Sequence, residues 1–154
     1  MPGTYWRLIA ALLLFGCTPA PAGPLADGDI SRVAGSARQA PAGEGVICTL
    51  GIFSAMKEVG NRCFPGQDAD FQSELGRAVE RLDEYVLTNS EWTASDLETF
   101  KKDQSLVDAP QPKVCREELI GMYKQMAADG PSPVKSGTDE LVARPGMPTW
   151  GDCL

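Results

Sequence analysis

The sequence predicts an all-α protein, a small disulfide-stapled bundle of about four helices with an irregular Gly/Pro-rich C-terminal tail. Three observations carry that prediction. Phe71, Leu75, Ala78, Val79, Leu82, Tyr85 and Val86 recur at intervals of three and four with Glu, Arg and Asp between them, the period of an amphipathic helix. No strand-like alternation competes with that period over any useful length. Cys48, Cys63, Cys115 and Cys153 are spread over residues 46–154, a stretch of about 110 residues whose single core is small enough for crosslinks to matter.

The chain opens with an export signal. Arg7 supplies the positive end, and Leu8 to Phe15 is an apolar run of about eight residues, far short of the ~20 needed to span a bilayer permanently. Residues 1–16 are therefore expected to be removed. Leu14-Phe15-Gly16-Cys17 resembles the processing box of bacterial lipoproteins, which makes Cys17 the acylated first residue of the mature chain. Thr18, rather than Asp, after that cysteine resembles the outer-membrane-directed class. Ala20-Pro21-Ala22 offers a competing small-x-small site for ordinary signal peptidase, and Phe15 is bulkier than the residue usual between Leu and Gly. Cysteine parity does not decide between them, since both leave Cys48, Cys63, Cys115 and Cys153. Residues 17–45, rich in Pro, Ala and Gly, form a tether, and a flexible chain of that length reaches roughly 30 Å.

Four helices follow in the domain 46–154. Val46 to Val59 is apolar nearly all round, as suits a central buried helix, with Gly60-Asn61 as its stop. The second helix takes Asp68 as N-cap and runs to about Leu87. Thr93-Ala-Ser-Asp96 reads as a capping box that opens a third helix, with Leu97 and Phe100 turned inward. Asp108-Ala-Pro-Gln-Pro breaks the chain. A fourth helix from about Cys115 aligns Leu119, Tyr123 and Met126 on one side as core packing, and Asp129-Gly130-Pro131 stops it. From Gly130 onward, Gly and Pro predict an irregular tail with at most a short turn after Thr138. Its end, Pro148-Thr-Trp150-Gly-Asp-Cys153-Leu154, joins an aromatic and a cysteine as an anchor onto the body.

Export places the four remaining cysteines in an oxidising space, where two disulfides are the simplest outcome. If the second helix runs antiparallel to the first, Cys63 lies at the end to which the third helix returns before Cys115, and Cys48 lies at the end to which the fourth delivers the tail. The expected pairs are Cys63 with Cys115 and Cys48 with Cys153. Cys48 with Cys63 is disfavoured, because about eleven helical residues at roughly 1.5 Å each separate Cys48 from the turn while a disulfide needs Cα atoms within about 7 Å.

The residues also narrow the chemistry. The chain contains no histidine, which removes the commonest general base and the commonest zinc ligand, and there is no Cys-x-x-Cys, so no metal or other cofactor is expected. Ser54 and Ser95 have no visible base, and neither a glycine-rich phosphate loop nor Gly-x-Ser-x-Gly occurs. The carboxylate pairs Glu80 with Glu84 and Glu117-Glu118 read as surface helix partners. A carboxylate-dependent hydrolase would need two of them to converge in a cleft. Fourteen Lys and Arg stand against twenty-one Asp and Glu, a net of −7. Loss of residues 1–16 removes Arg7 alone and gives −8. Such a chain is a poor binder of nucleic acid or anionic membrane, and its longest basic run is Lys101-Lys102. An acidic surface suits a basic partner and serves solubility equally.

A helix bearing Cys48, then Cys63-Phe64-Pro65, a long amphipathic helix and a further helix before Cys115 together resemble the Tai-type immunity proteins, small periplasmic helical domains that neutralise secreted toxins. The resemblance spans residues 46–115 and carries no functional residue across; the Cys153 tail and the lipid anchor depart from it. The expected function is thus a non-catalytic, periplasmic protein-binding or structural lipoprotein, anchored through Cys17 to the outer membrane and facing an envelope protein. Trp92 and Trp150 are its candidate partner-binding residues, and an immunity or inhibitor-type protein is the alternative.

Overall fold

The computed structural model describes residues 40–151, in which six helices and no strand occur: α1 Val46–Cys63, α2 Ala69–Asn89, α3 Ala94–Ser105, α4 Gln111–Val114, α5 Glu117–Asp129 and α6 Pro131–Val142. The signal segment, Cys17, the tether as far as residue 39, and Cys153 lie outside the described residues.

Helix α1 is apolar nearly all round because it packs against α2, α3, α4 and α5 at once. Val46, Leu50, Phe53, Met56 and Val59 are buried along its length, each contributing about 1.5–3 kcal/mol relative to exposure in water. Helix α2 buries one stripe, and all seven of the residues named by its period are in it. Its flanks pack against α1, α3 and α6. Glu74 lies at the margin of the stripe and is buried, with its Oε2 held by Arg77 Nε at 3.0 Å. A buried carboxylate without such a partner would be costly.

Helix α3 begins as its sequence dictates. Thr93 Oγ1 accepts from the Asp96 N–H at 3.2 Å, and Asp96 Oδ2 accepts from the Thr93 N–H at 2.8 Å, so two otherwise orphaned donors are satisfied reciprocally. Leu97 is buried and Phe100 half-buried, both inward.

Cys63 and Cys115 form a disulfide with Cα atoms 5.7 Å apart, joining the end of α1 to the junction of α4 and α5 as the topology predicts. Arg62, one residue earlier, donates to the Ala109 carbonyl at 2.8 Å and so fastens the α3–α4 loop to the same end. Cys48 is not a free thiol, and the partner expected for it, Cys153, falls outside the described residues.

Several expectations need correction. There are six helices among the described residues rather than about four. Gly60 does not stop α1, which continues to Cys63; it is buried inside the helix, where Tyr123 lies across it. Asp68 occupies the N-cap position of α2 but its side chain makes no cap bond, because its backbone is left-handed (φ 50°). The prolines after Asp108 start a short helix, α4, instead of only breaking the chain, since Pro110 precedes it and Pro112 sits in its first turn, where no N–H is needed. The tail is helical over α6: Gly130, at φ 82°, both ends α5 and precedes Pro131 as first helical residue. Val134 and Thr138 of α6 are buried, and Leu141 and Val142 are packed against the core.

Tyr123 closes the core at the disulfide end. Its ring stacks on Phe64 with centroids 4.8 Å apart and meets Phe71 edge-on at 5.5 Å. Burial raises its phenol above the ordinary 10.0, the nearby Asp68 carboxylate adding to the effect against the Gln72 amide.

Candidate functional site

The opposite end of α1 organises the site. Helix α1 has no side-chain cap, because Gly45 stands at its N-cap position. Its first-turn donors must find acceptors elsewhere. The Ile47 N–H donates to the Thr149 carbonyl at 3.1 Å, and the Thr149 N–H donates to the Gly43 carbonyl at 2.9 Å. A residue of the C-terminal segment therefore caps the central helix. The two backbones run so close that a Cβ on Gly43 would stand 2.2 Å from the Met147 carbonyl oxygen, and Gly43 also has φ 84°. A side chain there would push the segment off. Upstream, Tyr85 Oη lies 2.8 Å from the Arg144 carbonyl oxygen and 3.0 Å from that of Gly146, so α2 fixes the same segment from its other side.

Fixed in this way, Thr149 delivers Trp150 to α3. The Trp150 ring meets Phe100 at 5.9 Å in an edge-to-face arrangement, and Phe100 meets Trp92 at 5.4 Å. The two tryptophans singled out in the sequence, 58 positions apart, thus flank one phenylalanine. Phe100 packs over Gly51 of α1, where a Cβ would lie at an ordinary contact distance of 3.6 Å from Phe100 Cζ. Trp92 is half-buried, held where Ser90 Oγ accepts the Trp92 N–H at 3.1 Å. Trp150 remains 55% exposed and Met147, three residues before it, 73%. Met147 and Phe100 were not singled out as site residues by sequence. Phe100 reads as core from its helical position, which is half true, and Met147 sits in a Gly/Pro-rich stretch with no period to assign it a face.

Other groups are less promising as chemistry. Glu80 and Glu84 are exposed on α2, and Glu117 and Glu118 are exposed in the first turn of α5. Asp70 and Glu74 line one cleft of about 340 Å³ together with Ser73, Arg77 and Lys135, but Arg77 already holds Glu74. Ser54 is buried with its hydroxyl unpaired beside Lys57 and Lys101, in a cleft of only about 130 Å³. Ser95 is exposed in the first turn of α3. Among the described residues no three His, Cys, Asp or Glu side chains are grouped to hold a metal ion, and no helix is long and apolar enough to cross a membrane.

The site is therefore an aromatic surface, Trp92–Phe100–Trp150, with exposed Met147 three residues before Trp150 on a backbone segment that the start of α1 and Tyr85 hold in place. Comparison of the chain with protein-family models, with curated proteins and with solved structures found no match.

Proposed function

We propose that the protein is a non-catalytic protein-binding module of the bacterial cell envelope, exported and held at the outer membrane by a lipid on Cys17, with the Trp92–Phe100–Trp150 surface as its contact face. One observation carries the reading: Trp150 and Met147 expose 55% and 73% of their surface on a segment pinned by backbone hydrogen bonds. Exposed aromatic and Met side chains are enriched at protein interfaces, and a fixed backbone reduces the ordering entropy that association costs. The second crosslink, Cys48 with Cys153, belongs to the same proposal, because it would tie the residues after Trp150 to the helix that Thr149 caps. An anchorless inhibitor cleaved after Ala22 would use the same face.

Two measurements test the parts separately. The mass of the mature protein should show Cys17 as an acylated first residue; cleavage after Ala22 without added acyl mass rejects the anchor. A photo-crosslinking residue at position 147 should give a discrete adduct in intact cells that the same residue at exposed Glu118 does not give. Equal adduct patterns at the two positions, or none at either, reject the contact face.

A further inference from the structure

Acidic residues stand next to each aromatic residue of the face, in the chain or on its helix. Glu44 lies against Gly151, next to Trp150, close enough that a Cβ on Gly151 would stand 2.3 Å from Glu44 Cγ. Glu91 precedes Trp92. On α3, Asp96 and Asp103 stand four residues before and three after Phe100, so they flank it on the helix surface. Glu44, Glu91 and Asp103 have no ion-pair partner among the described residues.

The cations of α3 and of the segment after α6 have partners of their own. Lys101 Nζ pairs with Asp83 of α2 at 2.5 Å, Lys102 Nζ leans toward Asp108 at 4.0 Å, and the Arg144 guanidinium donates to the Ala40 carbonyl at 2.8 Å. What remains is a set of aromatic side chains with three carboxylates close by that make no ion pair among the described residues, Glu44 against Gly151, Glu91 next to Trp92 in the chain and Asp103 one turn along α3 from Phe100. That combination matches a guanidinium or ammonium group twice, since the ring faces attract a cation and the carboxylates accept its hydrogen bonds.

Building on the protein-binding reading, we infer that this face takes a basic segment of a partner protein, seating Arg or Lys side chains across Trp92 and Trp150 with Glu44, Glu91 and Asp103 as their counter-charges. The net charge of −7, which loss of Arg7 with residues 1–16 makes −8, adds long-range attraction for such a segment. The carboxylates make the interaction selective, because an acidic segment of equal hydrophobicity meets like charge there.

The test uses mature protein and two short synthetic peptides, one alternating Arg with Leu and one alternating Glu with Leu. The Arg peptide should shift the indole N–H resonances of both Trp92 and Trp150 saturably, and the Glu peptide should not. Its affinity should fall about tenfold or more in a Glu44→Gln, Glu91→Gln, Asp103→Asn variant, and should also fall as salt screens the carboxylates. Glu91 and Asp103 are exposed and Glu44 is half-buried, and unchanged circular dichroism confirms that the variant folds. Binding of the Arg peptide that the triple variant leaves unchanged overturns the inference, as does equal binding of the two peptides. In either case a discrete crosslink from position 147 would still uphold the protein-binding reading, whereas loss of that crosslink as well would remove both.

Discussion

Gly60 and Gly76 are both interior residues of helices, and the space around each gives them opposite expected responses to alanine. Alanine in a helix interior is favoured over glycine by roughly 0.5–1 kcal/mol. At Gly76 nothing lies within 4 Å of the added Cβ, so Gly76→Ala should stabilise the protein by about that amount. At Gly60 the Cβ would stand 2.9 Å from Tyr123 Cε2 and 3.1 Å from Gln72 Cδ. Tyr123 cannot retreat, because Phe64 and Phe71 hold its ring on two sides. Overpacking of that kind costs about 1–3 kcal/mol and outweighs the helix gain, so Gly60→Ala should lower the urea midpoint while Gly76→Ala raises it. Two midpoints moving in the same direction would show that the Tyr123 contact does not constrain Gly60. The sequence suggests a helix stop at Gly60 for a physical reason: a glycine needed for positive φ and one needed for close approach are the same letter.

At the scale of elements, the start of α3 was legible and the existence of α6 was not. A capping box is local, since Thr93 and Asp96 need only each other, and the structure forms it as read. Its prediction has a pH signature. The Thr93 hydroxyl, and after it the Thr93 backbone N–H, hold the Asp96 carboxyl below its ordinary 3.8. A carboxyl with a depressed folded value contributes stability that is present above 3.8 and lost as pH falls through the folded value. Thr93→Ala, which removes the N-cap hydroxyl, should therefore lower the urea midpoint near neutral pH, and the gap between wild type and variant should narrow as the solution is acidified below that range. A gap that stays constant from neutral to acid would mean that the hydroxyl does not act through the carboxylate. Helix α6 went unread because Gly130-Pro131-Ser132-Pro133 has the composition of a loop, although the same residues form a helix start when Gly130 takes the turn and Pro131 the first helical position. The spacing of Val134, Leu141 and Val142 with Thr138 between them was available as the contrary signal, and that face packs. Asp139 confirms the docking: it accepts from Arg81 of α2 at 2.5 Å and from Lys135 of its own helix at 2.7 Å, and these bonds, that from Lys135 first, lower its carboxyl.

For the whole molecule, legibility follows the distance over which the deciding contact acts. Trp92 and Trp150 could be picked out as aromatics outside any helical stripe, yet their meeting on Phe100 depends on Thr149 capping α1 at Ile47, about a hundred residues away, and no local pattern encodes that. The Cys63–Cys115 crosslink was legible because an antiparallel run of successive helices brings those two ends together. Its energetic share is large. With the cysteines 52 positions apart, the chain-entropy model gives the crosslink about 4 kcal/mol, a substantial part of the 5–15 kcal/mol that holds a domain folded. The loss should not be uniform. Helix α5 buries Tyr123 alone, with Leu119, Met126 and Ala127 partly covered, whereas α2 buries a full stripe between α1 and α6. A Cys63→Ser, Cys115→Ser variant should thus lose about 4 kcal/mol in urea, and its hydrogen exchange should show α4 and α5 opening well before α1 and α2. A variant with an unmoved midpoint would place the stability in the apolar core alone. The expected outcome also bears on compartment: a domain that spends so much of its stability on one crosslink holds its structure best where thiols are oxidised, which is the space that residues 1–16 would deliver it to.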